Sequence, residues 1–178
     1  MKHNRTLLPS IGVVVMLVLA LAAPATTLAA LAAELGAGQP TLAQATGFVP
    51  FSGHTQTLLR TAGLSDNSTY TAVDKLTFSG GISGHPVDTY TFTLHPDGSS
   101  TGQGIETCTD CTIGGRTGGY TEVFSFTATP NFATFQGPIT ILSSTGGLAG
   151  LRAEGTFQGG ATSTGFTETI SLNYHFEP

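Results

Sequence analysis

Two cysteines three residues apart, Cys108 and Cys111, are the side chains most open to a chemical role. A redox pair of the thioredoxin kind needs its first cysteine at a helix N-terminus, where the thiol pKa falls, and the Gly-rich stretch that follows starts no helix. A zinc site needs three or four ligands, and the chain contains 2 cysteines in all. A disulfide is therefore favoured, with free thiols as the alternative. It requires a turn or bulge at 109–110, because disulfide Cα atoms lie within about 7 Å of each other.

Carboxylic acids are the second kind of candidate. Burial would raise the pKa of a carboxyl that points into a barrel and would suit it to acid–base chemistry. The alternative, which we favour, is that these acids lie at strand ends near water or that bulges shift their phase. Glu122 and Glu168 are the weak catalytic candidates, and Glu122 is preferred because two phenylalanines follow it on the same face. Four acids are in phase with the aromatic faces: Asp74, Asp88, Glu122 and Glu168.

No other pattern of catalytic or metal-binding residues is present. The chain has no Ser-His-Asp order, phosphate loop or metal motif, and its histidines are isolated from one another. We therefore predict no metal site, no cofactor and no confident catalytic residue.

The elements that must position these residues read as β-strands. Threonine is abundant and the chain has 24 glycines, which favour pleated surfaces and tight turns respectively. Apolar or aromatic residues alternate with threonine, which predicts strands with one dry and one wet face. We expect an all-β fold of about eight antiparallel strands, arranged as a sandwich or a barrel. The clearest runs are 88–95, 119–129 and 166–176, and weaker ones are 54–61, 70–78, 99–107, 133–142 and 152–158.

The N-terminus has the pattern of a secretory signal peptide. Lys2 and Arg5 precede an apolar run at 11–23, which small residues follow. A membrane anchor is the alternative, but this run is shorter than the roughly 20 residues that a spanning helix needs. We predict a signal peptide over 1–32 that is cleaved near 29–32, a flexible mature tail over 33–47 and one β-barrel domain over 48–178. The protein would be secreted or extracytoplasmic, without membrane insertion after cleavage.

The charge balance excludes some partners. The leader holds two of the 6 basic residues and none of the 11 acidic ones, so the mature chain carries 4 − 11 = −7 with neutral histidines. Nucleic acid and anionic membrane surfaces attract basic proteins, so neither is expected as a partner. The oligomeric state is not predicted.

Two glycine-rich motifs add a resemblance that covers roughly residues 70–178. The hairpin Gly114-Gly115-Arg116-Thr117-Gly118 and the segment from Thr145 to Gly155, with Leu148-Ala149-Gly150-Leu151-Arg152, resemble an uncharacterised bacterial family of allene-oxide-cyclase-like barrels. The second motif is also similar to plant dirigent proteins. The resemblance implies an eight-stranded antiparallel barrel, with residues 148–151 tucked under it as a plug and Arg152 paired locally. It departs at the cysteine pair, which carries an extra residue, and it transfers no catalytic residue.

Three functions fit these observations. The favoured hypothesis is an exported module that binds a small apolar or amphipathic ligand, since an eight-stranded barrel can enclose one small molecule. The alternatives are a cofactor-free cyclase or isomerase, which needs an inward acid such as Glu122, and a structural domain with a filled barrel. The expected ligand-binding residues are Tyr90, Phe92, Tyr120, Glu122, Phe124, Phe126 and Tyr174.

Overall fold

A computed structural model describes residues 39–60 and 67–178, which are almost entirely β-strand. The predicted signal peptide and the start of the predicted tail lie outside the described residues. In the described part, no helix is both long and apolar enough to cross a membrane. The strands are β1 (Thr41–Pro50), β2 (His54–Arg60), β3 (Ser68–Lys75), β4 (Thr77–Gly80), β5 (Ile82–Ser83), β6 (Val87–Leu94), β7 (Ser100–Ile113), β8 (Arg116–Ala128), β9 (Phe135–Gly146), β10 (Leu151–Ala161) and β11 (Gly165–Phe176). Short 3-10 turns lie at Phe51–Gly53 and Pro130–Phe132.

The strands form one curled antiparallel sheet in the order β2-β3-β6-β7-β8-β9-β10-β11-β1-β4, and β5 pairs with β7. The predicted class, an all-β antiparallel barrel, is confirmed. The predicted count of about eight strands is wrong, because the described residues form eleven. The extra strands arise where the chain changes partner. The run 70–78 breaks at Leu76, so that β3 pairs with β2 and β6 whereas β4 pairs with β1.

The N-terminal boundary of the sheet also differs from the prediction. Residues 41–47 were assigned to a flexible tail, but they belong to β1, which pairs with β11 over its whole length. Ala43 and Ala45 are buried, whereas Leu42, Gln44 and Thr46 are exposed. The alternation is present, but its inward residues are too small to stand out in the sequence.

The predicted inner and outer faces are found in the clear strands. Phe92, Phe126, Ile170 and Leu172 are buried, and Phe124 and Tyr174 are partly buried and pack against that core. Threonines such as Thr91 occupy the opposite, exposed face. The threonine side is therefore the outside of the sheet.

Strand β7 contributes backbone rather than side chains to part of the interior. Gly102 is paired with Phe92 and Phe126, and Gly104 is paired with Tyr90 and Phe124. A Cβ at Gly104 would lie 2.4 Å from the Cβ of Tyr90, and one at Gly102 would lie 2.4 Å from the Phe126 ring. The two glycines are therefore required for the aromatic residues of β6 and β8 to close over β7.

One end of the sheet is filled by the glycine-rich segment before β10. Leu148 and Leu151 have no exposed surface, as the plug interpretation predicts. Gly150 has a φ of 80°, a left-handed conformation that favours glycine, and its carbonyl accepts a hydrogen bond from the Glu177 N–H. Arg152 pairs locally, since its Nη2 lies 2.8 Å from Oε2 of Glu177.

The cysteine pair is a disulfide at a β-bulge. Cys108 pairs with Tyr120 and Cys111 with Gly118, so two residues of β7 oppose one residue of β8. The bulge brings the two Cα atoms to 5.8 Å, and both cysteines are buried. The expected disulfide and the bulge that it requires are both present.

Candidate functional site

A row of four acidic side chains crosses the inside of the sheet at one level. The pairing registers place Asp74 of β3 opposite Asp88 of β6, Asp88 opposite Glu106 of β7, and Glu106 opposite Glu122 of β8. His54 of β2 is paired with Asp74 and so extends the row by one strand. Like charges directly opposite one another destabilise a sheet. A row of this kind is therefore a feature that the fold itself does not explain.

Glu168 of β11 adds a fifth carboxyl to this level. It is paired with Gly47 of β1 on one side and with Gly159 of β10 on the other. A Cβ at Gly47 would lie 2.7 Å from Oε1 of Glu168, so this glycine leaves the space that the carboxyl occupies. The carboxyl of Glu168 thus lies over the backbone of β1. Both neighbouring strands, β1 and β10, have a glycine at the paired position and so place no side chain beside it.

Three members of the acid row are buried, contrary to the positions near water that we favoured from the sequence. Asp74, Glu106 and Glu122 are 8%, 3% and 4% exposed. Asp74 and Asp88 lie one residue from a strand end, and one oxygen of the partly buried Asp88, Oδ1, is itself buried without a hydrogen-bond partner. The aromatic periodicity therefore continues through the acids, and no bulge moves them to the outer face.

Asp74 is the best-satisfied member of the row. Nδ1 of His54 lies 2.5 Å from Oδ1 of Asp74, and the Tyr90 hydroxyl donates a hydrogen bond to Oδ2 at 2.9 Å. The hydrogen bond to Asp74 raises the pKa of His54, which favours the charged imidazolium. When His54 is protonated it forms an ion pair with Asp74, and the tyrosine is held against the second carboxylate oxygen.

The other acids surround a second, smaller space. The Tyr120 hydroxyl donates a hydrogen bond to Oε1 of Glu106. Asp88, Glu106, Glu122 and Glu168 line a void of about 20 Å³. That volume is enough for one water molecule, which could bridge carboxyl groups.

Burial and mutual repulsion raise the pKa values of several of these acids. Burial raises the pKa of Glu106 to about 7. Burial, followed by the charges of Glu106 and Asp74, raises the pKa of Glu168 to about 8. The pKa values of Asp88 and Glu122 are raised well above their usual range by burial and by neighbouring carboxylates. The site can therefore hold and donate protons in the range where ordinary carboxyls are ionised.

An aromatic cavity adjoins the acids. It has a volume of about 110 Å³, and Asp74, Asp88 and Glu168 form part of its wall. Phe132, in the 3-10 turn at 130–132, lines it as well, so the cavity lies between the acid row and that end of the sheet. The aromatic wall also contains Phe135, Phe157 and Phe166, which are not among the ligand-binding residues expected from the sequence. His54, part-buried, and Gln56, exposed, lie at the rim.

No metal site is supported in the described ranges. The only close group of potential ligands found there is Cys108, Asp110 and Cys111. Its two sulfurs are joined in the disulfide and offer no thiolate to a metal. The carboxyls of the acid row are not gathered into such a group.

The structure distributes the residues predicted from the sequence over several places. Tyr90, Phe92, Phe124, Phe126 and Glu168 line the aromatic cavity. Glu122 lines only the smaller void, and Tyr120 is buried below it, hydrogen-bonded to Glu106. Tyr174 lies elsewhere, with its hydroxyl beside Gly114 and its ring against Phe176.

Two ionisable residues of the site were not identified as candidates. His54 was treated as an isolated histidine, and Glu106 was not singled out at all. A signal for Glu106 exists, because Ser100, Gly102, Gly104, Glu106 and Cys108 alternate along one face of β7. The glycines hide it, since they give that face no apolar character.

Comparisons with known proteins identify the fold and no family. No family model matches the sequence, and no curated protein matches it. A protein of unknown function of the DUF3224 family from Shewanella oneidensis MR-1 has a similar structure, with a TM-score of 0.53 at 16% identity over 79% of this chain and 99% of that chain. Two pterocarpan synthase dirigent proteins give TM-scores of 0.44 and 0.43 at 12% identity, over 78% and 80% of this chain and 89% and 99% of theirs.

Proposed function

We propose that this protein is a binding module for one small apolar or amphipathic molecule, held in the aromatic cavity. The observation that carries the proposal is the cavity itself, which has eight aromatic side chains in its wall and carboxyl groups at one side. Binding pockets of this kind draw affinity from buried apolar area and use a few polar groups to fix orientation. Asp88 and Glu168 take the orienting role, because both line the cavity.

The cavity volume limits the size of the ligand. A cavity of roughly 150 Å³ in another protein accepts benzene. The volume of about 110 Å³ here therefore suits a molecule with a single ring or a short branched chain, with any further part of it extending past the rim at Gln56.

Ligand binding can be tested with toluene and benzyl alcohol, followed by isothermal titration calorimetry and by ligand-observed NMR. Val49→Phe would fill the cavity, since Val49 is buried and lines it. Val123→Phe is the matched control, because Val123 lies on the outer face of β8 opposite Ile105 and Thr140. We expect binding to the wild type and the control, and loss of binding in Val49→Phe. The proposal would be refuted if none of the one-ring compounds bound to the wild type.

A second candidate function is a cofactor-free isomerase or cyclase. The observation that favours it is the position of Glu168 in the cavity wall, where burial raises the pKa of its carboxyl to about 8. Such a group can give a proton to one atom of a bound substrate while a neighbouring carboxylate removes a proton from another. A proton transfer between the two carboxyls would then restore the starting state of the enzyme. In this second proposal the role falls to Glu168 rather than to Glu122, because Glu168 lines the cavity and Glu122 does not.

The two functions differ in the effect of Glu168→Gln. An enzyme would lose turnover while ligand affinity changed little, because only interactions of the transition state would be removed. A binding module has no turnover to lose. Glu154→Gln, on an exposed position of β10, is the matched control.

A further inference from the structure

In their ionised form, the carboxyl groups around the aromatic cavity offer hydrogen-bond acceptors and no donors. Three carboxyls, Asp74, Asp88 and Glu168, contribute to its wall. His54, the one basic side chain found in the wall among the described residues, is already engaged by Asp74, and so is the Tyr90 hydroxyl. A ligand that brings donors and positive charge would therefore complement this wall, whereas an anion would be repelled.

Asp88 provides an independent indication of the same kind. Its Oδ1 is buried and has no hydrogen-bond partner, although its neighbours on both strands are polar. An unpaired buried acceptor costs free energy unless a donor satisfies it. Asp88 lines both the aromatic cavity and the small void, so its carboxyl group lies beside any ligand held in the cavity.

The surrounding charges strengthen the argument for a cation. Repulsion from Glu106 and Glu168 acts on Asp88 from neighbouring strands, and repulsion from Glu106 acts on Glu122. An ammonium group has three donors and no acceptor, so it can satisfy Asp88 and reduce this repulsion at the same time. Phenylalanine and tyrosine faces also attract a cation, by about 0.5–2 kcal/mol where water is excluded.

We propose that the ligand is a small primary or secondary amine in its protonated form, with the ammonium at Asp88 and Glu168 and its apolar part against the phenylalanines of the cavity. This inference rests on the proposed binding function and adds the chemical class of the ligand. It applies to any amine with an apolar part of about one ring, whatever its biological source.

The amine would compete with protons for the same carboxyls. We expect its affinity to rise between pH 6 and pH 8, because deprotonated carboxyls accept the ammonium, while a neutral analogue of the same size should bind with little pH dependence. The titratable groups that face this position are His54 of β2, Asp74 of β3, Asp88 and Tyr90 of β6, Glu106 of β7, Tyr120 and Glu122 of β8, and Glu168 of β11.

The test compares benzylamine, benzyl alcohol, toluene and benzoate by calorimetry, with the full mature chain. We expect benzylamine to bind at least about tenfold more tightly than benzyl alcohol at pH 8, as one charge-assisted hydrogen bond allows. Benzoate should not bind. Titrations in two buffers of different ionisation enthalpy should show that about one proton is released per amine near pH 7.

Asp88→Asn should reduce benzylamine affinity about tenfold and leave toluene binding intact. Asp97→Asn, at an exposed turn position, is the matched control and should change neither. Equal affinity of the wild type for benzylamine and benzyl alcohol would overturn the inference while the binding function stands, and this comparison requires no variant. Retention of the amine preference in both Asp88→Asn and Glu168→Gln would overturn it as well. Failure of all the one-ring compounds, toluene included, would instead refute the binding function on which it rests.

Discussion

The buried carboxyls predict that the protein becomes less stable as pH rises from about 5 to 8. A carboxyl whose pKa is higher in the folded state binds more protons there than in the unfolded chain. The free energy of unfolding therefore falls with pH between the unfolded and the folded pKa values. Glu168 is the clearest case, with a pKa that burial raises from 4.5 to about 8.

The size of the effect follows from that pair of values. Each pH unit between them corresponds to about 1.4 kcal/mol, so Glu168 alone can remove at most about 5 kcal/mol of stability across the interval. Glu106, with a pKa of about 7, acts in the same direction over pH 4.5–7. The two effects do not add in full, because ionisation of one carboxyl opposes ionisation of the next. A total loss of several kcal/mol corresponds to a fall in Tm of roughly 10–20 °C for a domain of this size.

Other titrating groups do not reverse this trend. The raised pKa of His54 gives stability that is present below its unfolded value of 6.5 and is lost as pH rises through the folded value, so it adds to the decline. The pKa values of Asp97, Asp110 and Glu177 are lowered, so their contribution is lost only as pH falls below their usual values of about 4. Stability should therefore be greatest near pH 5.

Urea denaturation at pH 5, 6, 7 and 8 and constant ionic strength, followed by circular dichroism, measures the trend. Glu168→Gln should leave stability at pH 5 nearly unchanged and raise it by a few kcal/mol at pH 8. The exposed Glu154→Gln control should follow the wild type at every pH. Stability that rises from pH 5 to 8, or a slope unaffected by Glu168→Gln, would show that these carboxyls ionise normally and would refute the account of the site.

Three further predictions concern the remaining features. Replacement of Cys108 and Cys111 by serine should cost at most about 2 kcal/mol, because the closed loop is small, and intact-mass measurement without reduction should show two hydrogens fewer than the free thiols. Phe126→Ala should cost about 3–5 kcal/mol in urea denaturation, whereas Thr127→Ala on the exposed face should cost no more than about 0.5 kcal/mol. N-terminal sequencing of exported protein should find a start within 30–33, and an intact first residue on a membrane-bound product would contradict the signal peptide.

The elements read most accurately from the sequence were those with large alternating side chains. In β6 and β8, aromatic residues alternate with threonine, so a period of two is visible without any knowledge of neighbours. In β1 the same alternation places Ala43 and Ala45 inward, and these small residues resemble a linker. How clearly the alternation is visible in the sequence depends on side-chain size, whereas the pairing of β1 with β11 does not.

The acid row illustrates what a single sequence cannot give. Asp88 and Glu122 were recognised as being in phase with the aromatic residues. Their alignment with Asp74 and Glu106 depends on strand register. Turns and bulges that lie far apart in the chain determine that register. The alignment of all four at one level, with three of them buried, is therefore a property of the assembled sheet. The expectation of strand-end positions is wrong for Glu122 and Glu168, which lie inside β8 and β11, whereas Asp74 and Asp88 lie one residue from a strand end.

The bulge at 109–110 has a consequence for which residues of β7 face inward. Before it, even-numbered positions such as Glu106 and Cys108 point to the core, and after it odd-numbered ones, Cys111 and Ile113, do so. The disulfide joins Cys108, the last even-numbered residue that faces inward, to Cys111, the first odd-numbered one. It therefore fixes the position at which the inward face changes from even to odd residue numbers. Reduction would leave the fold but allow the extra residue to migrate along the strand. Hydrogen exchange should then increase locally between Glu106 and Tyr120, and not across the barrel.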